Sequence, residues 1–210
     1  MTADQVNANR TYLRMKRILD IIGSLMGLII LSPVFLTVAL LIKIEDPKGP
    51  VFFNQVRVGK NGKEFTIYKF RSMVSNAEEL LTNLLNQNEI SGLMFKIKKD
   101  PRVTKVGLVI RKTSIDELPQ LLNVLKGEMS LVGPRPPLLR EVAKYTPFDK
   151  QRLLVVPGCT GLWQVSGRNS VGFEEMVNLD LNYIHNRNLR LDIIIILKTF
   201  IVLFGSKDAF

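Results

Sequence analysis

The chain has 210 residues, of which 46% are apolar and 23% charged, and a formal net charge of +10. This fits one domain with a hydrophobic core, and the charge favours an anionic partner: nucleic acid, an acidic membrane face or phosphorylated substrates. Cys159 and His185 are the only residues of their types. This excludes a disulfide framework, favours a reducing compartment, and argues against thiolate–imidazole zinc sites and Ser-His or Cys-His catalysis.

The N-terminal part combines a basic segment with a long apolar run. Residues 1–11 are polar and expected to fray. Arg14, Lys16 and Arg17 follow, and then no charge occurs between Asp20 and Lys43. This run of about 22 residues is long enough to span a bilayer. Its length and the lack of a small-residue cleavage site argue against a cleaved signal peptide.

Two features argue against a simple transmembrane helix. Ser32-Pro33 lies in the middle of the run, and a proline there breaks the helix into arms of roughly 18 Å, against a hydrocarbon core of about 30 Å. Both flanks are basic, which would keep both in the cytoplasm. The pattern predicts a re-entrant helical hairpin that enters one leaflet and returns, with Ser32 satisfying backbone groups at the break. A kinked spanning helix stays open as the alternative, and a buried soluble helix fits this length less well.

Residues 51–73 carry the pattern of a small β-hairpin. The stretches 51–53 and 55–58 predict one strand, 60–63 the turn, and 64–70 the returning strand. Lys69 and Arg71 occupy alternate positions and are expected on one face, where phosphate binding and a solvated strand edge are about equally supported. The acidic, leucine-bearing stretch 76–90 predicts a helix, and the basic stretch 95–102 is a candidate for the membrane surface.

Residues 111–137 are the most informative stretch. Leu118, Leu121, Leu122 and Leu125 recur as one apolar helical face, and Gly127 is a natural stop. The helix start has two candidates. A capping box of Ser114 with Glu117 would leave Pro119 too deep in the helix, whereas Asp116 as N-cap puts Pro119 in the first turn. Either start places both carboxylates at the positive end of a helix.

The adjacent acids Asp116 and Glu117 have two interpretations. The first is helix capping, which is the commoner role of acids in a first turn. The second is a reactive carboxylate that also holds a divalent metal. Arg111 before the pair and Arg135 after the helix suit bidentate phosphate contacts, so the surroundings favour a site for metal-bound phosphates.

The C-terminal part alternates loops with helical patterns. Residues 138–145 predict a helix, 155–168 a glycine-punctuated loop and strand, and 173–186 an amphipathic helix. Trp163 is interpreted as a core or interface anchor rather than a stacking platform. The apolar stretch 192–204 is too short to span and is expected to lie in the membrane interface or to pack on the hairpin.

Several motifs in order resemble those of one known family. The chain resembles the bacterial sugar transferases, small monotopic phosphoglycosyl transferases that load a phosphosugar onto polyprenyl phosphate. The resemblance runs from Lys16 to the C-terminus. Its landmarks are Lys16-Arg17-Ile18-Leu19-Asp20, Ser32-Pro33, Tyr68-Lys69-Phe70-Arg71-Ser72-Met73, Asp116-Glu117-Leu118-Pro119-Gln120, Gly133-Pro134-Arg135-Pro136, and the stretch from Pro157 through Gly167 to Arg168.

The resemblance implies an α+β, mostly helical fold: a monotopic membrane protein with a re-entrant helical hairpin broken at Ser32-Pro33, a small β-hairpin and a helical catalytic core. The implied organisation is a flexible N-terminus over residues 1–15, the membrane hairpin over 16–44, and a cytoplasmic catalytic domain with interfacial helices over 45–210. The implied location is the cytoplasmic face of a bacterial inner membrane, with an anionic lipid bilayer as partner. A homodimer is retained as a candidate assembly, and no nucleic-acid partner is expected.

The resemblance also implies a mechanism. Asp116 attacks the sugar-bearing β-phosphate of a UDP-hexose, UMP leaves, and undecaprenyl phosphate then takes the phosphosugar from the aspartyl intermediate. By similarity Asp116 and Glu117 are catalytic and hold Mg²⁺, or Mn²⁺ in its place. The implied substrate-binding residues are Lys69, Arg71, Arg111, Arg135 and Arg168.

Two departures and two rival functions complete the expectations. The long insertion between Met73 and Asp100 resembles the branch that transfers galactose or glucose 1-phosphate, whose extra N-terminal helices this sequence lacks, so that the chain is either a minimal enzyme or one domain of a larger protein. Cys159 replaces an aliphatic residue and is expected to pack.

The first rival is a non-catalytic membrane-anchored module that binds phosphate or nucleic acid. The second is a nucleotide-sugar glycosyltransferase, against which the absence of an Asp-x-Asp motif counts.

Overall fold

The computed structural model describes residues 1–77, 79–80, 100–167 and 172–205. A short helix α1 (Ala3–Val6) precedes the long helix α2 (Arg10–Ile30), which Asn9 caps by accepting a hydrogen bond from the backbone N–H of Tyr12. Residues 1–15, expected to be flexible, thus carry helix. Tyr12 is buried and donates from its hydroxyl to Asp192, 180 positions away.

Helix α2 ends one residue before the predicted break. Leu31 separates it from α3 (Ser32–Glu45), whose axis is bent from that of α2 by 59°. Pro33 lies in the first turn of α3, where its missing N–H is tolerated, and the Ser32 hydroxyl donates to the Ile29 carbonyl at 2.8 Å. Among the described residues, no single helix has the length and apolarity to cross a bilayer. Helices α2 and α3 meet that requirement only as a bent pair, by length and composition.

The β-hairpin forms as its sequence predicts. Strand β1 (Phe52–Val58) pairs antiparallel with β2 (Glu64–Phe70) in the register Phe52↔Phe70 to Val58↔Glu64. The tight turn between them needs left-handed backbone, and Asn61 and Gly62 supply φ values of 57° and 78°. Both residue types tolerate that region, which explains the turn signal in the sequence.

The chain after the hairpin is built from short elements around a second, parallel pair of strands. Strand β3 (Ser130–Val132) pairs with β4 (Gly158–Thr160), and Gly158 lies so close to Gly133 that a Cβ on it would sit 2.0 Å from the Gly133 nitrogen. The surrounding helices are α4 (Lys105–Lys112), α5 (Gln120–Lys126), α6 (Leu139–Val142), α7 (Leu162–Ser166), α8 (Phe173–Asn186) and α9 (Leu189–Gly205).

Apolar burial is divided among three clusters. The largest joins β3, α8 and α9 through residues such as Val132, Tyr183 and Ile195. A second joins α3 to Phe70 and Ile110, and a third packs β2 against α5 and the segment before β3. Helix α3 therefore packs directly against the residues that follow it in the chain.

Three C-terminal predictions are confirmed in part. Helix α8 has the predicted bounds, whereas the helix predicted over 138–145 is limited to α6, because the chain then turns into a 3-10 segment, Asp149–Leu154. Residues 162–166 form helix α7 where a loop was predicted. The apolar stretch at 192–204 is part of α9, which begins at Leu189. The predicted helix at 76–90 and basic stretch at 95–102 fall mostly outside the described residues.

Candidate active site

The acidic pair lies in a short 3-10 turn, not at an α-helix N-cap. Helix α4 ends at Lys112, Ser114 adopts a left-handed conformation (φ 54°), and Ile115–Glu117 form the turn. Helix α5 then begins at Gln120 with Pro119 at its N-cap position, so both predicted helix starts are wrong. Left-handed backbone is uncommon for serine, and here it reverses the chain immediately before Asp116.

Asp116 is a buried carboxylate within a ring of charged side chains. It is 9% exposed and lines a cavity of about 780 Å³ together with Glu117, Lys69, Arg111 and Arg135. Lys69 reaches the site from the end of β2, where its Nζ contacts Glu117 Oε1 at 2.5 Å. The β-hairpin and the 111–135 segment thus supply one electrostatic cluster.

Burial dominates the protonation of Asp116. Desolvation, and secondly the negative charge of Glu117, raise the pKa of Asp116 to about 7, while Lys69 and Arg111 oppose the rise. Adjacent acids, one of them buried, favour a bound cation. Over the described residues, no group of three or more His, Cys, Asp or Glu side chains could hold a metal ion. Among the residues that line this cavity, Asp116 and Glu117 are the two with carboxylates.

Apolar side chains also line the cavity. Helix α2 supplies Leu19 and Ile22, Leu31 follows that helix, and α9 supplies Ile193, Ile196 and Phe200. The same helices carry exposed apolar residues on their outer faces, including Ile29 at 65% and Ile201 at 69%. The cavity lining therefore combines charged side chains with apolar ones, which suits an amphiphilic phosphate better than a fully water-soluble one.

One of the predicted substrate-binding residues, Arg71, is not among the described residues that line the cavity. Arg71 donates to Asp46 Oδ2 at 2.6 Å and to the Asp46 carbonyl, so its guanidinium holds the turn after α3. Arg168 lies outside the described residues.

Sequence reasoning missed other residues that line the cavity. Arg57 on β1 is the foremost, and Trp163 and Gln164 of α7 also contribute. The only signal for Arg57 in the sequence was its place between two valines of a predicted strand. An arginine in such a strand is unusual unless it has a specific partner or role. Cys159 lines the cavity as well and packs against the Ile67 cluster; burial raises the pKa of its thiol, in keeping with the expected packing role.

Comparison with known proteins assigns the family. The model of the bacterial sugar transferase family matches residues 11–206. The chain belongs to this family. The match includes both helices of the bent pair and the whole charged cluster described above.

Individual relatives agree with the family assignment. The chain is 52% identical over 198 residues to a galactosyl transferase, CpsE, of Streptococcus agalactiae serotype III (strain NEM316), covering 93% of this chain and 44% of that protein. It is 47% identical to an undecaprenyl-phosphate galactose phosphotransferase of Salmonella typhimurium (97% and 43%) and 43% identical to the exopolysaccharide production protein ExoY of Sinorhizobium fredii (88% and 83%). The chain thus spans less than half of the first two relatives and most of the third.

Proposed function

We propose that the chain transfers a sugar 1-phosphate from a UDP-hexose to undecaprenyl phosphate, releasing UMP, as the first membrane step of an exopolysaccharide, capsule or O-antigen. The observation that carries this proposal is the buried Asp116 carboxylate in a cavity lined by both cationic and apolar side chains. The names of the relatives favour galactose over glucose as the sugar.

The reaction needs a nucleophile and charge neutralisation. An Asp116 oxygen attacks the β-phosphorus, the bond from that phosphorus to the bridging oxygen breaks, and UMP leaves with the electron pair. An oxygen of undecaprenyl phosphate then attacks the same phosphorus and expels the carboxylate. Neither displacement creates or consumes a proton at Asp116, which therefore has to be ionised rather than protonated.

The cationic side chains supply the electrostatic part of this scheme. Lys69, Arg111 and Arg135 line the cavity around Asp116, where they would bind the diphosphate and offset the charge that develops on the leaving UMP. Lys69 and Arg111 also favour the ionised carboxylate, since both lower its pKa against burial. The same residues thus hold the substrate and prepare the nucleophile.

The acidic pair also fits a divalent cation. Mg²⁺ usually takes one or two protein carboxylates together with substrate phosphates and waters, and Asp116 with Glu117 offers that donor set. Mn²⁺ accepts the same oxygen ligands. When bound, the cation would neutralise charge on the diphosphate. Glu117, which already pairs with Lys69, would share its carboxylate between the metal and that lysine.

The bent helix pair is proposed to enter one leaflet of the cytoplasmic membrane and return. Its apolar residues are exposed, as Leu36 at 74% and Leu40 at 60% illustrate, and this exposure is costly in water. Lys43 and other basic residues flank the pair and suit an anionic cytoplasmic leaflet. Labelling of Met1 and Phe210 from each side of a sealed vesicle tests this: both termini should be cytoplasmic, and termini on opposite sides would exclude re-entry.

The reaction is tested by identifying the nucleotide product. The purified chain is incubated with UDP-galactose or UDP-glucose, Mg²⁺ and undecaprenyl phosphate. The proposal expects UMP and a lipid diphosphate sugar from wild type and neither from Asp116→Asn. Release of UDP would instead indicate a glycosyltransferase, and unchanged phosphate binding without any turnover would indicate the non-catalytic membrane module.

A further inference from the structure

Arg57 is a buried cation that forms no salt bridge with an acid of the described residues. It is 7% exposed and lines the cavity. Its Nη1 donates to the Pro136 carbonyl at 3.2 Å, and its Nη2 donates to Gln55 Oε1 at 2.8 Å. Its Nε is buried with no hydrogen-bond partner. Within the described residues, both hydrogen-bond partners of this guanidinium are therefore electrically neutral.

The other buried arginines of the described ranges have carboxylate partners. Arg152 pairs with Asp180, Arg71 with Asp46 and Arg102 with Asp100, whereas no acid of the described residues forms a salt bridge with Arg57. A buried charge without a counter-charge is unfavourable. Burial, and secondly the nearby charge of Arg135, lower the pKa of Arg57 to about 10, and the charges of Glu141 and Glu117 offset this only in part.

The fold brings a second arginine toward the same place. The Pro136 carbonyl that accepts from Arg57 belongs to the residue after Arg135, and the Val58 N–H next to Arg57 donates to the Pro137 carbonyl. Arg135 also lines the cavity, where its Nη1 has a long contact of 3.4 Å with Glu141. Two guanidinium groups that repel each other in the free protein are a natural receptor for one dianion.

We propose that Arg57 and Arg135 form a phosphate subsite in the cavity, separate from the carboxylates that act on phosphorus. The ligand is a phosphate monoester, which would supply the directly bonded counter-charge that Arg57 does not have among the described residues. Resting on the proposed function, two reactants present this group: the departing UMP and the incoming polyprenyl phosphate. Arg57 is thus a substrate-binding residue that neither its sequence context nor the relatives' names assign.

Ligand-induced stabilisation tests the subsite without requiring turnover. Thermal unfolding of the full chain in detergent is followed with and without UMP, and separately with inorganic phosphate. Arg57→Met should weaken the apparent affinity for these anions by about tenfold or more, as expected when a charged hydrogen bond is lost. Arg57→Lys keeps the positive charge but loses the two parallel N–H donors of the guanidinium, so it should weaken the anion affinity less. This variant serves as the test if Arg57→Met does not fold.

Arg71→Met is the matched control. Arg71 is as buried as Arg57 and follows the neighbouring strand, but it pairs with Asp46 and is not among the cavity-lining residues. Its replacement should lower the melting temperature while leaving the UMP-induced rise intact. The proposal is overturned if Arg57→Met or Arg57→Lys binds UMP and phosphate as wild type does, or if the Arg71 variant loses the rise equally.

The two half-reactions distinguish the sources of the phosphate. If the subsite holds the nucleotide, Arg57→Lys slows the UMP burst from UDP-galactose in the absence of acceptor. If it holds the lipid phosphate, the burst is normal and the KM for undecaprenyl phosphate rises. If wild type releases no UMP at all, the proposed function fails, but the anion-binding measurement still decides the subsite. Normal values for both half-reactions together with normal anion binding would exclude it.

Discussion

Asp116→Asn is expected to stabilise the metal-free protein at alkaline pH. Burial, and secondly Glu117, raise the pKa of Asp116 from 3.8 to about 7. Since a tenfold change in a protonation equilibrium is about 1.4 kcal/mol, ionising this carboxyl in the folded chain costs up to about 4 kcal/mol. Asparagine does not carry this cost, so the free energy of unfolding should rise by up to that amount.

The pH dependence gives the sign of the effect. An acid whose pKa is raised by folding destabilises the fold only where it has to ionise. The gain from Asp116→Asn should therefore be absent below about pH 4, increase with pH, and be complete above about pH 7. At roughly 2–4 °C per kcal/mol for a chain of this size, the difference in Tm is easily measured.

The assay is thermal unfolding in detergent with EDTA, followed by fluorescence. Trp163 is the single tryptophan and lines the same cavity, so its emission reports on the site directly. Equal pH dependence of wild type and Asp116→Asn between pH 4 and pH 8 would refute the reasoning. Added Mg²⁺ should stabilise wild type more than the variant, because the cation favours the ionised carboxylate.

Asp46→Asn is a control of opposite sign. The pKa of Asp46 lies below its usual value. The hydrogen bond from the Gly49 N–H lowers it most, desolvation opposes this, and the positive charge of Arg71 lowers it further. An acid whose pKa is lowered by folding stabilises the fold above its unfolded pKa and loses that contribution as the pH falls. Asp46→Asn should therefore lower the Tm at neutral pH and approach wild type under acid conditions.

Three further predictions follow from the packing and charge of the site. Arg152→Met should cost about 3–5 kcal/mol of unfolding free energy, because it leaves Asp180, 1% exposed, without its counter-ion. Gly158→Ala should reduce both Tm and activity, since the added methyl would lie 2.0 Å from the backbone nitrogen of Gly133 in the adjacent segment. Lys69→Met should raise the pKa of Asp116 further, and thus shift the acid limb of the UMP-release rate to higher pH.

Each of these has an outcome that would contradict it. A Tm for Arg152→Met within about 2 °C of wild type would mean that the buried pair contributes little to stability. A normal Gly158→Ala protein would show that the two glycine-containing segments can separate. If the pH profile of UMP release for Lys69→Met is unchanged or shifted to lower pH, Lys69 does not lower the pKa of Asp116. Circular dichroism on each variant provides the folding control.

The elements that follow from local chemistry could be predicted from the sequence. Alternating strand residues around Asn61-Gly62 indicated the β-hairpin, the charge-free run with Ser32-Pro33 indicated two helices with a break, and the apolar periodicity at 173–186 indicated α8. Each signal lies within a few residues of the structure it specifies. The structure contains the predicted bend between α2 and α3. Entry of this helix pair into a bilayer, metal binding and homodimer formation stay predictions.

The site was predicted only where its residues are adjacent or in a familiar motif. Asp116, Glu117, Lys69, Arg111 and Arg135 share the cavity as expected. The 3-10 turn before α5 was missed because it depends on the left-handed backbone after α4, which no periodicity encodes.

Arginine roles depend on tertiary partners that the sequence leaves hidden. Arg71 stands in a strong motif, yet Asp46 from the end of α3 takes its guanidinium away from the cavity. Arg57 stands in a strand with no motif, yet the loop after Arg135 brings it to the cavity wall. In both cases, contacts with residues distant in the sequence decide which arginine lines the cavity.

The most direct test of the central claim is trapping of the phosphosugar on the chain. Wild type and Asp116→Asn are mixed with UDP-galactose and Mg²⁺ without acceptor, quenched, and analysed by intact mass and peptide mapping. The account predicts a hexose phosphate adduct on the peptide that contains Asp116, released on addition of undecaprenyl phosphate and absent from the variant. An adduct on another residue, or product formation by Asp116→Asn at the wild-type rate, would contradict it.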